Sequence, residues 1–265
     1  MILDELADHA RERVSKDKVD ISLEEMKKQA LSLPKGNFLF EKSLEKGMAE
    51  KGCAIISEVK KASPSKGVIS PDFPYLDIAK SYEAIGCHCM SVLTEPKWFL
   101  GSDEIFREIR AKSTLPMIRK DFTIDEYQIY QAKTMGADAV LLICALLDTE
   151  TIVKYLEICD TLGISALVET HDEEELASAQ KAGARIIGVN NRNLKDFSVN
   201  LNNASDLRKK LSTDVIFVAE SGITCSKDGV DLVKSGANAL LIGEALMRST
   251  NKEAFVTEIF QGVLS

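Results

Sequence analysis

No apolar run in this sequence is long enough to cross a bilayer; the longest, Ala139–Leu147, is about half of what a crossing needs. No basic segment followed by a greasy core opens the chain. "MILDELADHARERV" begins instead with acids in an amphipathic pattern, which predicts that no secretory leader is present. None of the six cysteines forms a CxxC pair, and Cys53, Cys89, Cys144 and Cys159 sit inside apolar runs. That usage argues for reduced thiols in a cytoplasmic protein and against a disulfide framework or a zinc site. Cys87 and Cys89 flank His88, but no second cluster completes a metal set. An excess of cations is missing too: the formal charge is −8. Nucleic acid, which needs a basic surface to neutralise its phosphates, is therefore excluded as the expected partner, as is a membrane. Any anionic ligand must be held by a few local cations against the overall field.

What the sequence does have is rhythm. At 265 residues, 45% hydrophobic and 28% charged, it has the composition of an ordinary soluble globule. From residue 53 onward a short aliphatic run, a polar turn and a helical stretch closed by glycine recur. The runs are Ala54–Val59, Cys89–Thr94, Pro116–Lys120, Ala139–Ile143, Ser165–Glu169, Ile186–Asn190, Val215–Glu220 and Ala239–Gly243. Their near-continuous apolar character predicts strands covered on both faces, as in a parallel sheet. Between them, Thr123 with Glu126 and Thr170 with Glu173 read as capping boxes, and Gly136 and Gly183 as helix stops. "GADAVLL", "GARIIGV" and "GANALLI" form a weak internal repeat. Eight such units match the size of a (β/α)8 TIM barrel. A doubly wound open sheet is the alternative, but the GxGxxG that usually follows its first strand is absent. Residues 1–50 lie outside the rhythm and read as a helical extension, with Ser22 and Glu25 capping one helix and "LPKGNF" turning into the next. Residues 51–265 form the expected barrel, the two together making one domain.

Polar side chains stand at the C-terminal edges of these runs: Glu58 and Lys60 on the first, Lys120 and Asp121 on the third, Glu169 on the fifth, Asn190 with Arg192 on the sixth, Glu220 on the seventh. Strands must return to solvent somewhere, so any one of these can be a simple exit. Long ionisable groups of alternating sign within or bounding the strands point further, because in a closed barrel all these ends meet on one rim, where active sites of this fold are built. Such a mouth shifts pKa values towards catalytic ranges. "AESGI" after the seventh run and "LIGEALM" after the eighth bring glycines to where this fold binds phosphate, and "SPSKG" (Ser63–Gly67) can close over the same group. The histidines read as bland: His9 on a helix surface, His88 structural, His171 solvated in a helical first turn. Trp98 and Phe99 either stack on a planar substrate or pack their own loop.

Together "SEVKKASPSKG", "VLTEPKWFLGS", "IRKDF", "LVETHDEEE", "IGVNNRNL", "VAESGI" and "LIGEALMR" resemble the indole-3-glycerol phosphate synthase family of tryptophan biosynthesis, in order along essentially the whole chain. Glu244 stands where some relatives carry serine. The resemblance implies a carboxy-lyase that closes 1-(2-carboxyphenylamino)-1-deoxyribulose 5-phosphate into an indole with loss of carbon dioxide and water. It implies Lys120 as general acid for ring closure, and Glu169 with Lys60 and Glu58 for the dehydration. Arg192 and Lys60 suit the substrate carboxylate. Asn190 and Glu220 hydrogen-bond the sugar hydroxyls or orient the lysines, with Ser221 beside them. Ser63, Gly222, Gly243 and position 244 fall to the phosphate, and Phe122, Trp98, Phe99 and Leu194 to the anthranilate ring. The small-molecule substrate needs no metal or organic cofactor, and charged outer helices make a monomer the default. Two other readings stand beside this one: a phosphoribosylanthranilate isomerase-like enzyme, which needs a Cys/Asp pair where Glu58/Lys60 and Asn190 stand, and a non-catalytic barrel that binds phosphometabolites.

Overall fold

Every expected run is a strand in the computed structural model, which describes residues 2–193 and 197–265. The strands are β1 (Ala54–Val59), β4 (Cys89–Leu93), β5 (Met117–Lys120), β6 (Ala139–Ile143), β7 (Ser165–Thr170), β8 (Ile186–Asn190), β9 (Ile216–Glu220) and β10 (Ala239–Ile242). All pair in parallel, and β1 pairs with both β4 and β10, so the sheet closes on itself in the order β1-β10-β9-β8-β7-β6-β5-β4. This is a (β/α)8 barrel. A two-stranded antiparallel hairpin, β2 (Ala62–Ser63) with β3 (Gly67–Val68), was not expected; it folds the "SPSKG" segment just beyond β1.

Strand periodicity sorts the side chains. Ala54, Ile56, Ile118, Leu141, Leu167, Val218 and Leu241 fill the barrel interior. Their alternate neighbours, Ile55, Val140, Val168, Ile187 and Phe217 among them, pack outwards with the helices. Continuing the interior parity by two residues brings Glu58, Lys120, Glu169, Asn190 and Glu220 to the next layer up. The charged ends therefore share one mouth because each strand ends in phase.

The remaining helices of the ring are α4 (Tyr75–Ala84), α5 (Asp103–Arg110), α6 (Glu126–Thr134), α7 (Thr149–Leu162), α8 (Glu173–Lys181), α9 (Asn202–Arg208), α10 (Ser226–Lys234), α11 (Glu244–Arg248) and α12 (Lys252–Leu264). Ser22 caps α2 (Leu23–Ser32) as expected, accepting from the Glu25 N–H. The other two caps differ. Asp125, not Thr123, caps α6, and Asp172, not Thr170, caps α8; aspartate outranks threonine at this position and stands directly before each first turn. Gly136 and Gly183 take positive φ beyond both helices, as a helix stop requires.

The helices before β1 lie at both ends of the barrel. α3 (Leu39–Lys51) places Phe40 and Leu44, fully buried, in the interior cluster. Its Ser43 Oγ donates to the His88 carbonyl at 2.6 Å, at the N-terminal mouth. α1 (Ile2–Asp20) lies at the opposite rim, where Arg13 makes a bidentate pair with Asp121 at 2.6 and 3.0 Å. Among the described residues no helix is long and apolar enough to cross a membrane.

Candidate active site

The C-terminal mouth of the barrel opens into a cavity of about 490 Å³, within the range that suits a drug-sized ligand. Of the described residues expected there, all but one line it: Glu58, Lys60, Ser63, Phe99, Lys120, Phe122, Glu169, Asn190, Arg192, Glu220, Ser221, Gly222, Gly243 and Glu244. Trp98 does not. Its ring packs edge-on against His9 at 5.5 Å, with the Lys97 ammonium over its face at 4.3 Å, so it anchors its own loop to α1. Leu194 lies outside the described residues.

Lys120 is the hub. Its Nζ lies 2.7 Å from Glu220 Oε2 and 3.3 Å from Glu169 Oε2, and all three side chains are nearly enclosed. Burial alone would push the Lys120 ammonium down, but the charges of Glu220, Glu169 and Glu58 outweigh it and hold the group above the ordinary lysine value. The two carboxylates separate. Burial raises Glu169, yet Lys120 and His171, with hydrogen bonds from Asn190 and Lys120, bring it below the ordinary range. Burial dominates at Glu220, Glu169 adds to it, and the carboxyl is pushed up to about 7. Among the described residues Glu220 Oε1 is buried without a partner. Room for that oxygen comes from Gly188 on the neighbouring strand, where a Cβ would overlap it.

Around this hub the other groups are oriented by hydrogen bonds. Asn190 Nδ2 donates to Glu169 Oε1 at 3.2 Å, while Asn190 Oδ1 accepts from the Arg192 backbone N–H at 3.0 Å, which fixes the amide's direction. Arg192 Nη1 donates to the Phe197 carbonyl at 3.1 Å. Lys60 and Glu58 form a direct ion pair, and Ser91 Oγ donates to Glu58 at 3.4 Å. Gly243 lies against that pair: a Cβ there would overlap Glu58 Oε1 and come 3.0 Å from Lys60 Nζ. Ser221 and Gly222 both take positive φ, turning the backbone after β9 into the mouth. Glu244 binds Arg248 at 3.0 Å and approaches Lys66 at 3.8 Å. Phe99 and Phe122 face each other at 6.1 Å, an aromatic side to the cavity.

Several expectations change. Asp121, one of the charged strand ends, has its carboxylate taken up by Arg13 and Thr94 and is buried. His9 is half-buried rather than free on the helix surface: its Nδ1 is 3.0 Å from Glu95, a fully buried carboxylate that also accepts the backbone N–H groups of Lys97, Trp98 and Phe99. His171 is not solvated but packed directly behind Glu169, 3.4 Å from Oε1. Lining residues that the sequence reading did not single out include Ile2, Leu3 and Leu6 of α1, and Phe197 and Val199 beyond β8. The amphipathic pattern of α1 marked its apolar face, but nothing local says which end of a barrel that face covers.

A family model described as indole-3-glycerol phosphate synthase matches residues 3–259. Among curated proteins, the indole-3-glycerol phosphate synthase of Ruminiclostridium cellulolyticum is 51% identical over 260 residues, covering 98% of each chain. That of Endomicrobium trichonymphae is 50% identical over 252 residues, 95% of this chain and 96% of the other. Among solved structures, a tryptophan synthase subunit alpha from Legionella pneumophila superposes with a TM-score of 0.61 at 15% identity, covering 86% of this chain and 98% of the other. A thiamine phosphate pyrophosphorylase from Pyrococcus furiosus gives 0.60 at 15%, over 81% and 96%. These two likenesses concern the fold alone.

Proposed function

The chain belongs to the indole-3-glycerol phosphate synthase family, and from that premise we propose how its cleft carries out the reaction. The enzyme is a carboxy-lyase of tryptophan biosynthesis acting on a small phosphorylated substrate. The ring carbon of 1-(2-carboxyphenylamino)-1-deoxyribulose 5-phosphate that bears the carboxylate attacks the ketone carbon, and Lys120 donates a proton to the ketone oxygen as charge develops there. The carbon–carboxylate bond breaks next, carbon dioxide leaves, and its electron pair restores the aromatic ring. A base then removes a proton from the resulting hydroxyindoline while an acid assists the departing hydroxide, giving indole-3-glycerol phosphate and water. Glu169, with the Glu58–Lys60 pair across the mouth, supplies that exchange. The arene and the ketone carry the electron flow, so no step calls for a cofactor.

One observation carries this assignment: the buried Lys120 ammonium is bracketed by Glu220 at 2.7 Å and Glu169 at 3.3 Å, at the floor of a cavity with aromatic, cationic and glycine-rich sides. Lys60 and Arg192 suit the substrate carboxylate; Ser63, Ser221, Gly222 and Gly243, with position 244 beside them, suit the phosphate, and Asn190 and Glu220 the sugar hydroxyls. Phe99 and Phe122 suit the anthranilate ring. Residues 1–50 serve as an appendage of the 51–265 barrel, in a monomeric, cytoplasmic protein. Incubation with the substrate should generate indole fluorescence; isomerisation of phosphoribosylanthranilate without an indole product would overturn the assignment.

A further inference from the structure

His171 is absorbed by none of the roles above, yet it touches the catalytic layer. It follows Glu169 by two residues, on the same parity, just past the end of β7. Its Nε2 stands 3.4 Å from Glu169 Oε1, and its Nδ1 stands 3.0 Å from Glu175 Oε2 in the first turn of α8. The position is fixed on all sides. The His171 backbone N–H donates to the same Glu175 oxygen at 2.8 Å, and Asn203 Nδ2 donates to the His171 carbonyl at 3.0 Å. The ring is 15% exposed, and among the described residues its buried Nε2 has no partner in hydrogen-bond geometry.

An imidazole between two carboxylates poses a proton question that geometry answers. A neutral ring has one N–H and one bare lone pair. With the hydrogen on Nδ1, the lone pair of Nε2 faces Glu169; with it on Nε2, the lone pair of Nδ1 faces Glu175. Either tautomer sets a lone pair against a carboxylate, and only the imidazolium presents an N–H towards each. The charged groups around the ring act in that sense. Burial alone would lower His171, but the hydrogen bond to Glu175 and the charges of Glu169, Glu175 and Glu220 leave it above the ordinary histidine value. Asp172 adjoins on the same turn, and Lys120, beyond Glu169, is the opposing cation.

We propose that His171 is a positioning residue for the lyase reaction: with Glu175 behind it, its imidazolium holds one proton against Glu169 Oε1, keeping that carboxylate ionised and turning its other oxygen towards Lys120. This rests on Glu169 taking part in the chemistry. The effect reaches the reaction as a pH dependence, because Glu169 carries two cations within ion-pair reach, Lys120 on one oxygen and His171 on the other. Removing His171 removes one of them and makes Glu169 easier to protonate.

The test uses the full-length protein and two readouts. NMR titration of ring-labelled histidine should give His171 a pKa above that of an ordinary histidine side chain, dropping in Glu169→Gln and in Glu175→Gln. In His171→Gln, which keeps a donor but no charge, the acid limb of kcat/KM should move up by about half a pH unit or more, and Glu175→Gln should move it the same way. A ring that serves packing alone would lower kcat with the limb unmoved. An unshifted His171 titration in Glu169→Gln, or an acid limb unmoved in His171→Gln, overturns the inference while Glu169 keeps its role. Wild-type turnover in Glu169→Gln overturns that role and this inference with it.

Discussion

Lys120 Nζ lies 2.7 Å from Glu220 Oε2, between residues 100 positions apart in the chain. The contact is made across the interior of a closed barrel, and Glu169 reaches the same ammonium from a third strand. Replacing Lys120 by Met keeps much of the volume and removes the proton donor. Turnover should fall below detection while a substrate analogue still binds within about tenfold, some 1.4 kcal/mol. Indole fluorescence and a binding titration check the two halves of this expectation, and unchanged turnover would remove the lysine from its role.

Glu220 carries a pH signature. Its folded-state carboxyl is pushed up to about 7, above the value it takes when unfolded, so the folded protein holds this proton more tightly. The stability linked to that proton is full below about pH 4.5 and is lost as pH rises through about 7. Glu220→Gln cannot titrate. Its unfolding free energy relative to the wild type should therefore improve by about 3 kcal/mol between acid and pH 8. Urea unfolding at a series of pH values measures this, and a difference flat with pH would contradict it.

Gly243 offers a cleaner separation of chemistry from folding. An added methyl meets only the far ends of Glu58 and Lys60 among its near neighbours, and these can swing aside. Gly243→Ala should therefore keep a melting temperature within a few degrees of the wild type while kcat/KM drops about tenfold or more. Equal losses in both would mean that the glycine serves packing rather than the pair.

Arg13 makes the opposite case. It pairs bidentately with Asp121, whose side chain is 1% exposed, and is the link from α1 to the strand that carries Lys120. Arg13→Met leaves a buried carboxylate with Arg119 at 3.6 Å and the Thr94 hydroxyl at 2.6 Å. The loss should be about 3 kcal/mol in denaturant unfolding; a loss under about 0.5 kcal/mol would show the pair to be ornamental to stability.

Most of the barrel could be read from local pattern. Apolar runs of strand length and glycines at helix ends are set by burial and by backbone sterics, which neighbouring residues fix almost alone. Strand ends were displaced by at most a residue, as with Cys89–Leu93 against an expected Cys89–Thr94. The caps slipped further, from Thr123 to Asp125 and from Thr170 to Asp172, because several residues in each segment could accept the same N–H and only the path of the chain selects one.

At the site, the useful signal was the ionisable side chains at the C-terminal edges of the runs, and strand parity explains which of them meet. Glu58, Lys120, Glu169, Asn190 and Glu220 continue the interior positions of their strands, so a sequence that fixes where each strand ends also fixes which groups share the mouth. Which charge answers which was settled by barrel closure. Asp121 and Lys120 are adjacent in sequence, yet strand alternation sends one carboxylate out to Arg13 and the ammonium in to Glu169 and Glu220. The sequence by itself determined the strands, their buried faces and the inventory of ionisable ends, since these follow from short-range sterics and from water's exclusion of apolar surface. Only the tertiary structure decided that α1 lines the cavity, that Trp98 belongs to His9, and that His171 stands behind Glu169. Those contacts join segments whose separation along the chain carries no information about their distance in space.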